Sequence, residues 1–212
     1  MAPTGDAGPQ LASLTIEEAI ELLQSGAVVA VPTDTVYGVA VDAARLDATD
    51  LLFAVKQRPE SVALPVLCEG AAQALSLVHP EKRAEVRLLG GAFWPGPLTI
   101  VVPRRTDLRW RLGGDPATIG VRVPDDDDLR AICRVVGPLA VSSANRHGSS
   151  PCTTADEVRR ELGAEVRVLD GGKRSAPVST VVDCTADRPL YRRDGAVPRE
   201  HIDEILSSIG DT

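Results

Sequence analysis

Short runs of β-branched residues alternate with amphipathic helical stretches along almost the whole chain, and this alternation limits the possible folds most. The run AVVAV at 27–31 is continuous and apolar, which is typical of a strand buried on both faces. Further strands are predicted at 63–67, 98–102, 118–123, 138–142, 166–169, 179–183 and 189–192. Helices are predicted at 15–25, 51–56, 70–78, 81–89, 126–136, 154–162 and 198–208. Strands interleaved with helices predict a layered α/β fold of the α+β type.

Domain organisation follows from the evenness of the sequence. No internal repeat, no linker rich in Pro, Gly or Ser, and no change in composition divides the 212 residues. We therefore predict one domain over 14–212 after a flexible tail at 1–13, built as a single twisted mixed β-sheet flanked by helices. Because aromatic residues make up only 3% of the chain, Val, Leu, Ile and Ala must form the core.

Charge and cysteine content exclude several classes of protein. A net charge of -7 argues against indiscriminate coating of nucleic acid and against a basic membrane-binding patch. No apolar run approaches the roughly 18 residues of a membrane span, and the first ten residues lack the pattern of a signal peptide. Cys68, Cys133, Cys152 and Cys184 form no CxxC pair and no zinc spacing with histidine. We expect reduced thiols, a cytoplasmic location and no tightly bound metal.

Common nucleotide and hydrolase signatures are absent from the sequence. No GxGxxG follows a strand, and Arg174 stands after Gly172-Lys173 where a Walker A loop needs Ser or Thr. No GxSxG elbow surrounds Ser142. The acidic run at 125–128 is interpreted as a helix N-terminus, where carboxylates complement the helix dipole, rather than as a metal site.

Polar segments instead follow the predicted strands, where α/β proteins place their ligands. PTDTVYG at 32–38 follows the first strand and SSAN at 142–145 follows a later one. Lys56 and Arg58 end a helix and offer a point charge and a bidentate fork, which suit phosphates. Each feature also has a purely structural interpretation. The polar segments can be ordinary turns, and Lys56 and Arg58 can be cations that complement a helix C-terminus. Arg122 lies in an apolar strand and needs an anionic partner or a solvent-facing side.

Taken in order, these segments together with AFWPGPLT at 92–99, STVVD at 179–183 and RRDG at 192–195 resemble the YrdC-like threonylcarbamoyl-AMP synthase family. Each motif is weakly specific, but seven in order over about 15–208 are strongly specific. The resemblance implies a YrdC-like sheet with a concave, positively charged cavity. It implies a nucleotidyltransferase that makes threonylcarbamoyl-AMP and pyrophosphate from L-threonine, bicarbonate and ATP, with Mg²⁺ accompanying ATP. Partner proteins would then pass the threonylcarbamoyl group to tRNA.

The resemblance assigns the roles of the family's functional residues to individual positions of this chain. It implies catalytic roles for Lys56, Arg58, Ser143 and Asn145. It implies contacts with ATP for Lys56, Arg58, Thr118, Ser143, Asn145 and Arg193. It implies contacts with threonine for Thr35, Tyr37, Arg122, Val141 and Ser179. No metal ligand is implied, and Gly148 accompanies the SSAN segment.

Four positions depart from the family pattern. Leu67 stands where some members have a threonine-binding His, and Val62 where an Asn lies near ATP. Val178 replaces a Glu and Ser142 replaces a Pro. These changes affect amino-acid specificity more than nucleotide chemistry. Without a hydrogen-bonding His at position 67, we expect modest threonine affinity or tolerance of serine.

Two alternatives remain open at this point. The first is a module that binds tRNA or double-stranded RNA, for which Arg104, Arg105, Arg109 and Arg111 form a basic cluster. The second is a paralogue that forms an adenylate with another carbamoyl acceptor. That domain usually lies within a longer chain, so the length of this sequence disfavours the second alternative.

Overall fold

The computed structural model describes residues 12–146, 149–163 and 165–207. Most of the predicted N-terminal tail and Gly148 lie outside these residues. Within them the chain forms the predicted mixed α/β fold, a single twisted sheet flanked by helices.

Seven α-helices and nine strands make up the described part of the chain. The helices are α1 (Ile16–Ser25), α2 (Leu46–Lys56), α3 (Ala71–Leu77), α4 (Arg83–Phe93), α5 (Asp127–Val136), α6 (Ala155–Leu162) and α7 (Arg199–Ser207). The strands are β1 (Val29–Val31), β2 (Gly38–Asp42), β3 (Val66–Leu67), β4 (Leu98–Pro103), β5 (Thr118–Arg122), β6 (Leu139–Ser143), β7 (Arg167–Val168), β8 (Thr180–Asp183) and β9 (Leu190–Arg193). Most predicted elements form close to their predicted bounds, but α2 begins at Leu46 instead of Leu51, and the strands expected at 63–67 and 166–169 shrink to two residues each.

The nine strands join in the order β7-β1-β2-β6-β3-β5-β4-β8-β9. Parallel pairs join β1 to β7, β3 to β5 and β4 to β8, and the remaining neighbours are antiparallel. The sheet is consequently mixed. Its middle strands come from distant parts of the sequence, and the loop between β1 and β2 lies at the same edge of the sheet as the end of β6, where Gly38 is opposite Ser143.

Strand β2 is the element that the sequence analysis did not predict. It forms an antiparallel pair with β1, in which Val31 lies opposite Gly38, and a second antiparallel pair with β6. The sequence analysis placed Gly38 only as the last residue of the polar segment PTDTVYG, whereas it begins this strand. The position requires glycine because a Cβ there would lie 2.7 Å from Cγ1 of Val141 on the neighbouring strand.

Two apolar layers bury the sheet. Helices α1 and α5 cover one face, where Leu23 and Ile132 pack on Val29. The other five helices supply a larger cluster on the opposite face, which includes Leu52 and Ile202. Each layer removes large amounts of apolar surface from water, which is the main favourable term in folding.

Local signals fix where the two helices of the smaller layer begin. Thr15 and Glu18 exchange the two hydrogen bonds of a capping box at α1. Asp126 caps α5 by accepting from the backbone N–H of Leu129 at 2.9 Å. The acidic run at 125–128 is thus confirmed as a helix N-terminus.

Gly195 supports the end of the sheet that carries Arg193, and it has no room for a side chain. A Cβ there would lie 2.5 Å from the backbone nitrogen of Thr180 and from the carbonyl carbon of Ser179. We expect Gly195→Ala to lower the free energy of unfolding by about 2–3 kcal/mol, near the upper end for overpacking. Gly91→Ala in α4 meets nothing within 4 Å, so it should raise stability by about 0.5–1 kcal/mol. Urea unfolding measures both, and equal effects would contradict the steric argument.

Candidate functional site

A groove with two adjoining compartments opens over the middle of the sheet. The smaller compartment has a volume of about 140 Å³ and the larger about 660 Å³. Arg58, Pro65, Thr99 and Arg193 line both of them. Two guanidinium groups therefore stand at the boundary between a small chamber and a larger open one.

The smaller compartment brings together all five residues that the resemblance places around threonine. These residues come from the loop after β1 and from β5, β6 and the segment before β8, and they are Thr35, Tyr37, Arg122, Val141 and Ser179. Ser143 lines the same compartment, while Thr118 lines the larger one. Lys56 and Asn145 line neither compartment. The departures Leu67, Ser142 and Val178 face the smaller compartment, and Val62 faces the larger.

The loop between β1 and β2 is held by its own hydroxyl groups. Oγ1 of Thr33 accepts from the backbone N–H of Thr35 at 3.1 Å and of Val36 at 3.2 Å, and it donates to the carbonyl of Val36 at 2.7 Å. Its contact with Oγ1 of Thr35 measures 3.0 Å. The Thr35 hydroxyl is thus hydrogen-bonded to Thr33 and also lines the smaller compartment, where its remaining hydrogen-bonding capacity can meet a ligand.

Tyr37 anchors a distant loop to this site. Its fully buried ring places the hydroxyl 2.8 Å from the carbonyl of Gly172, to which it donates, and 3.2 Å from Oδ1 of Asp170. The same oxygen accepts from the backbone N–H of Gly171 at 3.1 Å. Burial raises the pKa of this phenol. The hydroxyl therefore fixes the 170–172 loop, and the ring contributes the compartment wall.

Arg58 and Arg193 are held in the groove by neutral groups. Arg58 donates to the carbonyls of Val62 at 2.9 Å and Ala63 at 2.8 Å. Arg193 donates to the carbonyl of Ser179 at 2.8 Å and to its hydroxyl at 2.7 Å. Desolvation and the charge of Arg193 lower the pKa of Arg58. A site that holds like charges on neutral acceptors favours an anionic ligand.

Arg122 is the third arginine of the groove and the most deeply buried. Its Nη2 donates to Oδ1 of Asp34 at 2.6 Å, and its Nε donates to the carbonyl of Gly96 at 3.0 Å. Burial lowers the pKa of Arg122, and Asp34 opposes that change. The turn at 92–97, part of the AFWPGPLT segment, thus holds a site residue through the carbonyl of Gly96. Trp94 fixes that turn by donating from Nε1 to the carbonyl of Leu98 at 2.7 Å.

Lys56 and Asn145 are buried outside both compartments, and each keeps one polar atom without a hydrogen bond. Lys56 is 4% exposed and Asn145 is 7% exposed. Within the described residues, Nζ of Lys56 and Oδ1 of Asn145 are both buried and have no partner. Burial, followed by the charge of Arg58, lowers the pKa of Lys56 to about 8. A buried ammonium without an acceptor is costly, so function rather than stability explains its presence.

Sequence reasoning missed two supporting residues of the site. Asp34 forms the ion pair with Arg122, and Thr33 organises the loop that carries Thr35. Both stand inside the PTDTVYG segment, so the segment was found but these roles were not. Across 12–146, 149–163 and 165–207, no group of three His, Cys, Asp or Glu side chains is placed to hold a metal ion. None of the helices in those ranges is long and apolar enough to cross a membrane.

The sequence matches one family model and several known proteins. Residues 21–195 match the Sua5/YciO/YrdC family model, which is described as "Telomere recombination". A Mycobacterium tuberculosis relative is 37% identical over 202 residues, covering 94% of this chain and 93% of its own. The threonylcarbamoyl-AMP synthase of Bacillus subtilis is 34% identical over 198 residues, covering 92% of this chain and 57% of its own.

Solved structures of similar proteins share the fold of this chain. The crystal structure of Pyrococcus abyssi Sua5 complexed with L-threonine has a TM-score of 0.84 at 31% identity, over 90% of this chain and 57% of that one. Escherichia coli YciO has a TM-score of 0.75 at 24% identity, over 86% of this chain and 90% of that one, and it shows the shared fold. This chain thus spans little more than half of the Bacillus and Pyrococcus proteins.

Because the ammonium of Lys56 is buried, we predict that replacing this lysine with an apolar residue stabilises the protein. Below pH 8 the folded protein buries a charged lysine, whereas the unfolded chain keeps the ordinary pKa of 10.5. We expect Lys56→Met to raise the free energy of unfolding by about 1–3 kcal/mol at pH 7. The gain should shrink between pH 8 and 10.5, because wild-type Lys56 then becomes neutral in the folded state.

Urea unfolding of both proteins at pH 7 and pH 9.5 measures this difference. Lys173→Met is the matched control, since Lys173 is exposed and its replacement should change little. A Lys56→Met protein less stable than wild type at pH 7 would show that the ammonium is compensated.

Proposed function

Because the chain belongs to the Sua5/YciO/YrdC family, we propose that it is a threonylcarbamoyl-AMP synthase, an enzyme that joins L-threonine, bicarbonate and ATP and releases pyrophosphate. One observation carries the proposal. A small chamber and a larger one meet at two arginines that are hydrogen-bonded only to neutral groups. That arrangement suits an amino acid on one side, a nucleoside on the other and phosphates between them.

The smaller compartment takes the amino acid in this proposal. Arg122 supplies a charged donor for its carboxylate, and the hydroxyls of Thr35 and Ser179 supply polar contacts. Leu67 and Val141 line the same compartment and give the side-chain methyl group an apolar contact. Leu67 offers no hydrogen bond to a substrate hydroxyl, which leaves that recognition to the hydroxyl groups of the chamber.

ATP takes the larger compartment, entering as its Mg²⁺ complex. Its triphosphate lies at the boundary, where Arg58 and Arg193 lack a carboxylate partner among the described residues. Thr118 and Gly120 line the chamber that receives the nucleoside. Mg²⁺ would share the neutralisation of phosphate charge, as in other phosphoryl and nucleotidyl transfers.

The chemistry needs positioned charge rather than a nucleophilic side chain. The threonine amine and bicarbonate form a carbamate with loss of water. A carbamate oxygen then bonds to the α-phosphorus of ATP, and the bond from that phosphorus to the leaving pyrophosphate breaks. Arg58 and Arg193 stabilise the charge that moves to pyrophosphate, and Lys56, whose charge acts on Arg58, adds positive potential. The reaction also requires that water be kept from the labile carbamate.

Use of the product implies further partners. A threonylcarbamoyl adenylate is an activated mixed anhydride, so a second protein must transfer its acyl group to tRNA. We place both steps in the cytoplasm. The four cysteines are free and buried, a state that suits a reducing compartment.

RNA binding as the main function has less support than catalysis. Arg105 pairs with Asp107 at 2.5 Å, and Arg111 pairs with Asp50 at 3.0 Å. Arg104 donates to the carbonyl of Trp110 at 3.0 Å. The predicted basic cluster is thus largely engaged within the protein. RNA binding that falls steeply with salt, without nucleotide turnover, would favour this alternative.

The proposed function predicts pyrophosphate release that requires both L-threonine and bicarbonate. The measurement compares ATP and Mg²⁺ alone with mixtures that lack one substrate at a time, and it includes serine and other amines in place of threonine. Release must rise at least about tenfold when both substrates are present. Equal release with and without threonine would overturn the proposal, and release supported by a different amine would identify the paralogue instead.

We predict that replacing Arg58 lowers turnover more than it weakens ATP binding. If its fork stabilises the leaving pyrophosphate, Arg58→Ala should lower kcat by about 10²–10³, the range for an oriented donor at a developing charge. Arg58→Lys should also be impaired, since a compact ammonium cannot reproduce the planar fork with which Arg58 donates through Nε and Nη2.

The control for Arg58 is Arg109→Ala, which removes an exposed arginine that lines neither compartment. Turnover and the thermal midpoint are measured on the same preparations. Normal turnover in Arg58→Ala with a lower midpoint would mean that Arg58 only stabilises the end of α2.

A further inference from the structure

Asp34 forms an ion pair with Arg122 and lines neither compartment of the groove. Their side chains are 11% and 7% exposed, and the Oδ1–Nη2 distance is 2.6 Å. Among the described residues that line the two compartments, Arg122 is present and Asp34 is not. Asp34 therefore acts on a ligand only through the guanidinium group in front of it.

Two fixed attachments determine the plane of the Arg122 guanidinium. Nε is held by the carbonyl of Gly96 and Nη2 by Asp34. Nη1 donates no hydrogen bond to any residue in the described ranges. A guanidinium has five N–H donors in one rigid plane, so these two attachments orient the free donors, and the residue lines the smaller compartment.

Asp34 also neutralises the charge of Arg122, which distinguishes this arginine from Arg58 and Arg193. Arg58 and Arg193 are held by carbonyls and a hydroxyl, which leaves their full positive charge in the groove. Arg122 forms a neutral pair with Asp34. A neutral pair attracts a triphosphate less strongly than an unpaired guanidinium does, yet it still presents directed donors to one carboxylate.

We propose that Asp34 is a positioning and specificity residue, which orients Arg122 toward the carboxylate of the amino-acid substrate and leaves the polyphosphate to Arg58 and Arg193. The proposal rests on the proposed function, because it assigns the smaller compartment to the amino acid. It adds a residue that touches neither substrate.

The test is a comparison of steady-state constants for wild type, Asp34→Ala and Asp34→Asn. We expect Asp34→Ala to raise the KM for threonine about 10- to 100-fold, the range for a lost charge-assisted hydrogen bond, while the KM for ATP stays within about threefold. Asp34→Asn keeps an acceptor oxygen at the same distance, so its KM for threonine should rise by a smaller factor, about three- to tenfold. The asparagine variant thereby acts as a partial rescue.

A control separates positioning from stability. Glu85→Ala removes another partly buried ion pair, which joins Glu85 in α4 to Lys82 just before that helix at 2.8 Å, and it should lower the thermal midpoint while leaving both KM values unchanged. A threonine KM within twofold of wild type in Asp34→Ala, or equal increases in both KM values, would overturn the proposal.

Two further outcomes are also decisive. If Asp34→Ala does not fold, Asp34→Asn decides the question, and an unchanged threonine KM in that variant overturns the proposal. Wild type without threonine-dependent pyrophosphate release overturns the proposed function before any variant is compared, and the role of Asp34 falls with it.

Discussion

Three like charges at one groove are the constraint on which the rest of the structure depends. Arg58, Arg122 and Arg193 lie close enough for Arg193 to lower the pKa of Arg58, and for desolvation and Arg122 to lower that of Arg193. Such a cluster persists only when the scaffold holds each guanidinium by several hydrogen bonds. The sheet supplies them from three separate places, namely the segment after α2, the turn before β4 and the segment before β8.

Function at this site costs stability, and the helices and the core compensate for that cost. Lys56 is buried with an unsatisfied ammonium, and Oδ1 of Asn145 is unsatisfied as well. Neither arrangement favours folding. Two apolar layers on opposite faces of the sheet, together with capped helices such as α1, offset the cost. Polar groups that lack partners in the protein are free to meet a ligand, which is a reason for them to be kept.

Local patterns predicted most elements because each depends on a few neighbouring residues. The capping box of Thr15 and the acidic start of α5 are contacts within three positions. Strand β2 escaped prediction for the opposite reason. Gly38 reads as a loop residue until Val141 is placed 2.7 Å from its missing Cβ, and only the pairing of β2 with β6 places it there.

The sequence by itself determined the order of the elements, the family, and the residue types that surround the groove. Only the tertiary structure decided how those residues are used. Arg122 required an anionic partner by its sequence context alone, but the identity of Asp34, 88 positions away, follows from the order of the strands. The same holds for the missing partner of Lys56 and for the hydroxyl of Tyr37, which bonds a loop more than 130 positions away. Charge pairing and burial depend on distance in space, and a mixed sheet sets those distances through contacts that the local sequence does not contain.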